Sequence, residues 1–229
     1  RAEAFLILGQ QAEAFAFYKQ AADIAAFDRR WADLSSTRKQ CRELSLKLHG
    51  RRDHCDECFP QGSIGIFSGE PTENPVADPV RSSVAGWLQL HSVRAVFGTV
   101  RPGWEIALME IAQLAGIETH VILPLSEENF VASEALLKDP AWLVRFNLVL
   151  GKATSVTVLD ADTVGVEFTD RMTAARASLL ADHLGFNLRA LAVGETFDKT
   201  AIRVWQRSNL EVRAIRPSDP AANALPDKE

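Results

Sequence analysis

From residue 63 onward, short apolar runs alternate with helical patterns, and this alternation restricts the possible folds more than any other feature of the sequence. Runs rich in β-branched and aromatic residues predict strands, and the longer amphipathic segments between them predict helices. The predicted strands are Ser63–Phe67, Arg94–Phe97, Thr119–Leu125, Ser155–Leu159, Leu188–Val193 and Val212–Ile215. The predicted helices cover residues 80–91, 103–116, 127–151, 168–184 and 199–208.

Strands that alternate with helices form βαβ units, which build a mostly parallel sheet with right-handed connections. The near-continuous apolar run Val121-Ile122-Leu123 is typical of a strand buried on both faces. We therefore expect an α/β domain of three layers over residues 63–217, with helices on both faces of the sheet. The tail over residues 218–229 has little to bury and is expected to be loose.

A glycine-containing turn joins the second strand to the next helix, within residues 94–110. Gly98 can leave the strand in a conformation that other residues avoid, and Pro102 suits a loop or the first turn of a helix. The N–H groups at a helix start favour anions such as phosphate, and ligands of open α/β sheets bind at the carboxyl ends of strands. The turn is either a phosphate site or an ordinary strand-to-helix turn, because lone glycine motifs are weak evidence.

Small and polar residues follow most of the predicted strands, where they would line one edge of the sheet. These groups are Ser68-Gly69-Glu70, Gly98-Thr99, Pro124-Leu125, Asp160-Ala161-Asp162 and Gly194-Glu195-Thr196. Helix capping or turn formation is the favoured interpretation of Asp160 and Asp162. For Glu70 and Glu105 a ligand role and a structural role are equally favoured.

Residues 1–50 read as helix throughout, since good helix formers dominate and no proline interrupts them. A first helix should end at Gly9, and a second and a third should follow. The run Leu8-Gly9, Ala12 and Ala21-Ala22 resembles the turn and second helix of a tetratricopeptide repeat, which needs neighbours to bury its apolar face. The alternative is an ordinary helical hairpin that packs on the next domain.

Residues 51–62 read as a linker that contains Cys55 and Cys58 as a CxxC pair. With His49 and His54 nearby, zinc or redox chemistry is an alternative, but a second CxxC is missing and the favoured interpretation is incidental linker thiols. With Cys41, the cysteine count is odd, which fits a reducing compartment and predicts a cytoplasmic protein. No metal ion or cofactor is predicted.

The net charge of −5 gives no basic surface for nucleic acid, and no apolar run is long enough to cross a bilayer. No signal peptide is visible, although a chain that begins at Arg1 can be a fragment. The sequence contains neither a GxSxG motif nor a Walker loop. Four tryptophans in helical patterns are expected in the core: Trp87, Trp104, Trp142 and Trp205.

Short sequence features over about two thirds of the chain occur in the same order as in one protein family, although each feature alone is weakly specific. They are Phe67-Ser68-Gly69-Glu70, Gly98, Gly103, Glu105, Glu110, Val121-Ile122-Leu123-Pro124, Glu128-Asn129-Phe130, Trp142-Leu143-Val144-Arg145-Phe146, Leu191-Ala192-Val193-Gly194, Thr200-Ala201 and Val204-Trp205. Residues 63–216 resemble a nucleotide-sensor branch of the SLOG superfamily, whose Rossmann-like domains are akin to LOG phosphoribohydrolases and Smf proteins.

In that branch the domain follows tetratricopeptide repeats and accompanies bacterial cyclases or other signalling modules. The resemblance therefore implies a bacterial signalling protein that binds a nucleotide. Glu70 stands where the branch commonly has His, and the PGG-x-GT-x-x-E signature of the catalytic members is not present. These departures favour ligand sensing over hydrolysis.

Three functions remain open. The first is a regulatory module that binds a nucleotide or nucleotide-derived ligand at the sheet edge, while the helical segment relays to a protein partner. The predicted ligand-binding residues are Ser68, Gly69, Glu70, Gly98, Thr99, Gly103, Glu105, Gly194 and Glu195. The second is a nucleotide phosphoribohydrolase or N-glycosidase, in which Glu105 or Glu110 activates water and Arg101 holds phosphate. The third is a protein-interaction module with an empty cleft. Neither nucleic acid nor a membrane is an expected partner.

Overall fold

The computed structural model describes residues 1–28, 30–73, 78–159, 165–195, 199–207 and 210–218. Asp160, Asp162, Thr196 and residues 219–229 of the predicted tail lie outside these ranges. The chain forms two compact units: residues 1–61 with 182–186, and residues 62–181 with 187–229.

The described elements of residues 1–61 are helical. The three helices expected there are present, as α1 (Ala2–Ile7), α2 (Gln11–Phe27) and α3 (Trp31–His49). Gly50 ends α3 in the left-handed conformation, with a φ of 70° that glycine adopts without steric cost. Their likeness to a tetratricopeptide repeat stays a prediction.

The cysteines of this unit are packed rather than incidental linker thiols, so that interpretation was wrong. Asp53–Cys58 form a 3₁₀ helix, and Cys55 is disulfide-bonded to Cys41 of α3. Cys58 is a free buried thiol, and burial raises its pKa to about 11. Spacing within the CxxC could not reveal a partner 14 positions earlier in the chain. Because disulfides persist under oxidising conditions, the cysteines do not support a reducing compartment, and the cytoplasmic location stays a prediction.

The second unit is built on an all-parallel sheet, which confirms the predicted α/β class. Each predicted strand is present with small shifts at its ends. The strands are β1 (Ser63–Gly69), β2 (Val93–Gly98), β3 (Glu118–Leu123), β4 (Ser155–Val158), β5 (Asn187–Val193) and β6 (Val212–Ile215). Their spatial order is β4-β3-β2-β1-β5-β6, so the order reverses between β1 and β5. This Rossmann-like arrangement makes the β1–β5 boundary the topological switch point, where ligands of such sheets commonly bind.

Helices connect the strands and cover the centre of the sheet, whereas the edge strand β4 is mostly exposed. They are α4 (Asp78–Leu90), α5 (Trp104–Leu114), α6 (Glu127–Ser133), α7 (Pro140–Lys152), α8 (Val166–Leu184) and α9 (Lys199–Arg207). The single helix predicted over residues 127–151 was wrong, because α6, a 3₁₀ helix (Ala135–Lys138) and α7 lie there instead. Pro140 has no N–H and begins a new helix, while the carboxylate of Asp139 accepts the Ala141 N–H at 2.9 Å.

The core of the second unit lies between the sheet and its helices. Val121, Ile122 and Leu123 are all at most 1% exposed, as expected for a strand covered on both faces. The four tryptophans predicted for the core are also buried. Within the described residues, none of the helices is both long enough and apolar enough to cross a bilayer.

Candidate functional site

At the switch point, Glu70 binds groups that a ligand could otherwise use. Its carboxylate accepts the backbone N–H of Glu195 at 2.7 Å. Its own N–H donates to the carbonyl of Val193 at 3.0 Å, and its carbonyl accepts the N–H of Trp104 at 3.3 Å. Gly194 is packed against it, since an added Cβ would lie 2.7 Å from Cβ of Glu70. The structure therefore brings β1, β5 and the start of α5 together around one glutamate.

Glu195, the other acidic residue predicted here, is also engaged. Its carboxylate accepts the N–H of Ser218 at 2.8 Å and the hydroxyl of Ser218 at 2.6 Å. A predicted ligand contact at this position is thus a contact with the chain itself. Ser68, which precedes this group on β1, is only 4% exposed.

The glycines predicted to bind a ligand are positions of close packing within the chain. An added Cβ on Gly69 would lie 2.5 Å from Cβ of Trp104, and one on Gly103 would lie 2.4 Å from the backbone nitrogen of Thr72. Gly103 also has a φ of 109°, which L-residues rarely adopt. An added Cβ on Gly98 would lie 2.9 Å from the terminal methyl of Met109. At these positions, atoms from other parts of the chain occupy the space that a side chain would need.

The turn between β2 and α5 contains its own anion. Glu105 lies in the first turn of α5, and its side chain is 3% exposed. Its carboxylate accepts the Thr99 hydroxyl, the backbone N–H of Arg101 at 2.9 Å, and the Arg101 guanidinium at 2.6 and 3.1 Å. A carboxylate is favourable at a helix start for the same electrostatic reason as a phosphate. Glu105 therefore occupies the helix start that a phosphate would need, which favours the ordinary strand-to-helix turn of the two interpretations.

A cavity of about 120 Å³ lies beside this turn, at the carboxyl ends of β2 and β3. We call it the edge cavity, and its lining residues are Thr99, Arg101, Pro124, Phe130, Glu134, Thr169 and Asp170. The turn after β2, the end of β3, the end of α6 and the start of α8 each supply part of the wall. Apolar and polar groups thus converge at one point, as in a small-molecule site.

Thr169 is the most informative lining residue. It is 3% exposed, and its hydroxyl oxygen has no hydrogen-bond partner within the described part of the chain. Thr173, one turn later on α8, is equally buried, but its hydroxyl donates to the carbonyl of Thr169 at 2.8 Å. Buried polar groups are nearly always hydrogen-bonded, so the Thr169 hydroxyl suits a partner from outside the chain.

Among the described residues that line the edge cavity, carboxylates outnumber cationic groups. Glu134 and Asp170 line it, and the lining guanidinium, that of Arg101, is paired with Glu105. Burial raises the pKa of Glu134, an effect that Arg101 opposes and Glu105 reinforces. A phosphate would be repelled here, whereas hydroxyl and amino groups could donate to the carboxylates.

The predicted catalytic residues lie at two separate places. Arg101 and Glu105 form the ion pair beside the edge cavity. Glu110, further along α5, accepts both guanidinium bonds of Arg145 at 2.7 Å and lies 3.8 Å from Arg81. Glu110 therefore connects α5 to α7 and α4, and it is not among the residues that line the edge cavity.

Sequence reasoning missed Glu134, Thr169 and Asp170. The available signal was a pair of adjacent polar residues at the start of α8, but nothing in the sequence placed them beside the end of β2. Clusters of three or more His, Cys, Asp or Glu residues that could hold a metal ion do not occur among the described residues.

Compared with known proteins, the chain matches no family model, and no curated protein matches it significantly. The resemblance to the SLOG superfamily therefore stays a hypothesis.

Proposed function

We propose that this protein is a regulatory module that binds the sugar or base part of a nucleotide-derived ligand in the edge cavity. The observation that carries the proposal is Thr169, a residue that lines the cavity and whose buried hydroxyl has no hydrogen-bond partner in the described part of the chain. Leaving such a group unsatisfied costs about 1–3 kcal/mol, and a ligand that hydrogen-bonds to it recovers part of that free energy.

The charges favour the neutral part of a nucleotide over its phosphate. Glu134 and Asp170 accept hydrogen bonds from hydroxyl or amino groups, and ribose and the amino-bearing bases offer several such donors. The apolar wall of Phe130 and Pro124 gives a flat ring or a sugar face a surface to pack on. The phosphate would extend away from the carboxylates toward solvent.

The edge cavity is large enough for a part of a nucleotide but not for the whole molecule. Pockets that enclose drug-sized molecules typically measure about 300–1,000 Å³, whereas the edge cavity measures about 120 Å³. One ring of a nucleotide can enter, and the rest must lie over the carboxyl edge. At the switch point the Glu70 carboxylate accepts the Glu195 N–H, and the Glu195 carboxylate accepts from Ser218, so fewer groups there are open to that remainder.

Thermal unfolding of the whole chain against a ligand panel tests the proposal. The panel holds nucleoside monophosphates, cyclic dinucleotides and ADP-ribose, each beside its phosphate-free nucleoside. A ligand at about 100 times its Kd stabilises by about 2.7 kcal/mol, which raises Tm by several degrees in a chain of this size. We expect one base or sugar class to raise Tm, and its nucleoside to retain most of the shift. A flat panel with folded protein would contradict the proposal and favour a protein-interaction module.

One observation favours a second candidate, an N-glycosidase. Glu134, whose pKa is raised by burial, lines the same cavity as Asp170, and carboxyl groups in different environments are the usual acid and base of such enzymes. Glu105 suits the role of base less well, because Thr99 and Arg101 bind both of its oxygens. Analysis of the panel samples for released base separates the two candidates, since a sensor leaves its ligand intact.

The regulatory part of the proposal needs its own test. A ligand regulates only if it favours one state of the protein over another. Hydrogen exchange of the amides in α1, α2 and α3, measured with and without the panel ligand that raises Tm most, reports whether the helical unit responds. If hydrogen exchange in these helices is unchanged, the protein binds the ligand but does not transmit binding through α1, α2 and α3.

A further inference from the structure

A second cavity lies near the amino ends of β5 and β6, at the opposite ends of the strands from the edge cavity. It measures about 130 Å³ and is lined by Trp87, Leu90, His91, Arg189, Ala190, Glu211 and Arg213. We call it the amino-end cavity. It shares no lining residue with the edge cavity.

Two arginines of the amino-end cavity lie on the same face of the sheet. Leu191 of β5 pairs with Arg213 of β6, and Arg189 lies two positions before Leu191. Because side chains alternate between faces along a strand, Arg189 and Arg213 project to the same side. Their positive charges therefore meet at this cavity.

Arg189 has capacity to bind a further group. Its Nε is buried and has no hydrogen-bond partner within the described residues. Its Nη1 lies 3.4 Å from the carboxylate of Glu211, which is 86% exposed. Such an exposed ion pair is weak, so the Glu211 side chain can move aside when a stronger acceptor arrives.

His91 completes the polar wall. Its ring packs edge-on against Trp87, with 5.2 Å between ring centroids. Burial lowers the pKa of His91, the charge of Arg189 lowers it further, and Glu211 opposes both effects. A neutral imidazole remains able to donate one hydrogen bond, and an anion placed beside it would raise its pKa.

We propose that the amino-end cavity binds a small phosphate-type oxyanion. A planar guanidinium carries Nε and a terminal nitrogen in the parallel geometry that matches two oxygens of a phosphate, and Nε of Arg189 has no hydrogen-bond partner among the described residues. Arg213 adds a second positive charge, and His91 lies on the same wall as a further donor. Glu211 is the competing anion that the ligand must displace. This site is independent of the function proposed for the edge cavity.

The test uses the whole chain and inorganic phosphate, at constant ionic strength maintained with sodium chloride. The His91 ring signals are followed by NMR across pH at increasing phosphate. We expect a saturable rise in the pKa of His91, because a bound dianion favours the imidazolium form. Phosphate bound elsewhere, for example at Arg101, would not produce this local rise. A non-saturable response of His91 would overturn the proposal.

Two variants give opposite expected results. Arg189→Gln removes the guanidinium and should weaken phosphate binding about tenfold or more, because charge-assisted bidentate hydrogen bonds are lost. Glu211→Gln removes the competing carboxylate at an exposed position and should strengthen binding severalfold. Arg171→Gln, at an exposed arginine on α8, is the matched control and should leave the affinity unchanged. Equal affinities in all three variants and the parent would contradict the assignment.

Discussion

The switch point and the edge cavity lie along the same edge of the sheet, but their polar groups have different partners. At the switch point the Glu70 carboxylate accepts the Glu195 N–H, and Glu195 in turn binds Ser218. In the edge cavity the Thr169 hydroxyl is buried without a partner in the described part of the chain. The first arrangement holds the fold together, whereas the second leaves a polar group available to a ligand.

This difference shows that position in the fold is not sufficient to locate a site. The reversal of strand order makes the β1–β5 boundary the expected binding place. The protein's own hydrogen bonds occupy it, while a buried hydroxyl without a partner among the described residues lies further along the edge, beside β2 and β3. The hydrogen-bond state of each group is therefore the reason that we propose the edge cavity, and not the switch point, as the ligand site.

Breaking the close packing at the switch point should have the largest effect on stability. Gly103→Ala places a Cβ 2.4 Å from the Thr72 backbone nitrogen at a φ of 109°. We expect a loss of about 3 kcal/mol or more in urea unfolding, because strain and overlap with backbone add. Gly50→Ala is the control, since its φ is also positive but its Cβ would meet open space. It should cost about 1 kcal/mol. Equal losses would show that the contact with Thr72 is unimportant.

Removing the internal anion of the β2–α5 turn should have the next largest effect. Glu105→Gln leaves the mostly buried Arg101 guanidinium without its carboxylate, and breaking such a pair costs about 3 kcal/mol. Glu110→Gln, on the same helix, breaks a more exposed pair with Arg145 and should cost about 1 kcal/mol. Urea unfolding of both variants measures the difference. A smaller loss for Glu105 than for Glu110 would contradict its structural role.

Replacing the unpartnered hydroxyl should have a small effect of opposite sign. Thr169→Val keeps the side-chain shape and removes a buried polar atom that lacks a partner, so the ligand-free protein should gain up to about 1 kcal/mol. Thr173→Val removes a hydroxyl that donates to the Thr169 carbonyl and should lose about 1 kcal/mol. Thermal unfolding without ligand compares them. A clear loss in Thr169→Val would mean that this hydroxyl already has a partner.

The smallest expected effect is a change in pH dependence. The folded state raises the pKa of Glu134 above its ordinary value near 4.5, so the folded protein binds this proton more tightly than the unfolded chain. The stability that Glu134 contributes is complete below the unfolded pKa and is lost as pH rises through the folded pKa. The free energy of unfolding of Glu134→Gln, measured relative to that of the parent, should therefore be higher at pH 7 than at pH 4. Glu128→Gln, the same substitution at an exposed position of α6, is the control, and urea unfolding at both pH values compares the two variants. Equal effects of pH on the two variants would contradict the role of Glu134.

The sequence was sufficient to predict the strands because six apolar runs were separated by clear breaks. It failed at residues 127–151, where Asp139-Pro140 was overlooked as a helix start. In both cases local chemistry determined the outcome.

The site was only partly predictable, because hydrogen-bond partners are set by tertiary structure. Glu70, Glu105 and Glu195 were correctly expected at the carboxyl edge, but no local pattern shows that their carboxylates bind other parts of the chain. Glu134 and Thr169 come from helices far apart in sequence, and their burial depends on how α6 and α8 pack. That packing cannot be predicted from composition or periodicity.

The most direct measurement is a calorimetric titration of the panel ligand that raises Tm most. It is titrated into the parent protein, Thr169→Val and Thr173→Val. We predict that Thr169→Val weakens binding about tenfold, as expected for the loss of one buried hydrogen bond of about 1–1.5 kcal/mol, whereas Thr173→Val binds like the parent. Parent-like affinity in Thr169→Val would contradict the claim that the edge cavity is the binding site.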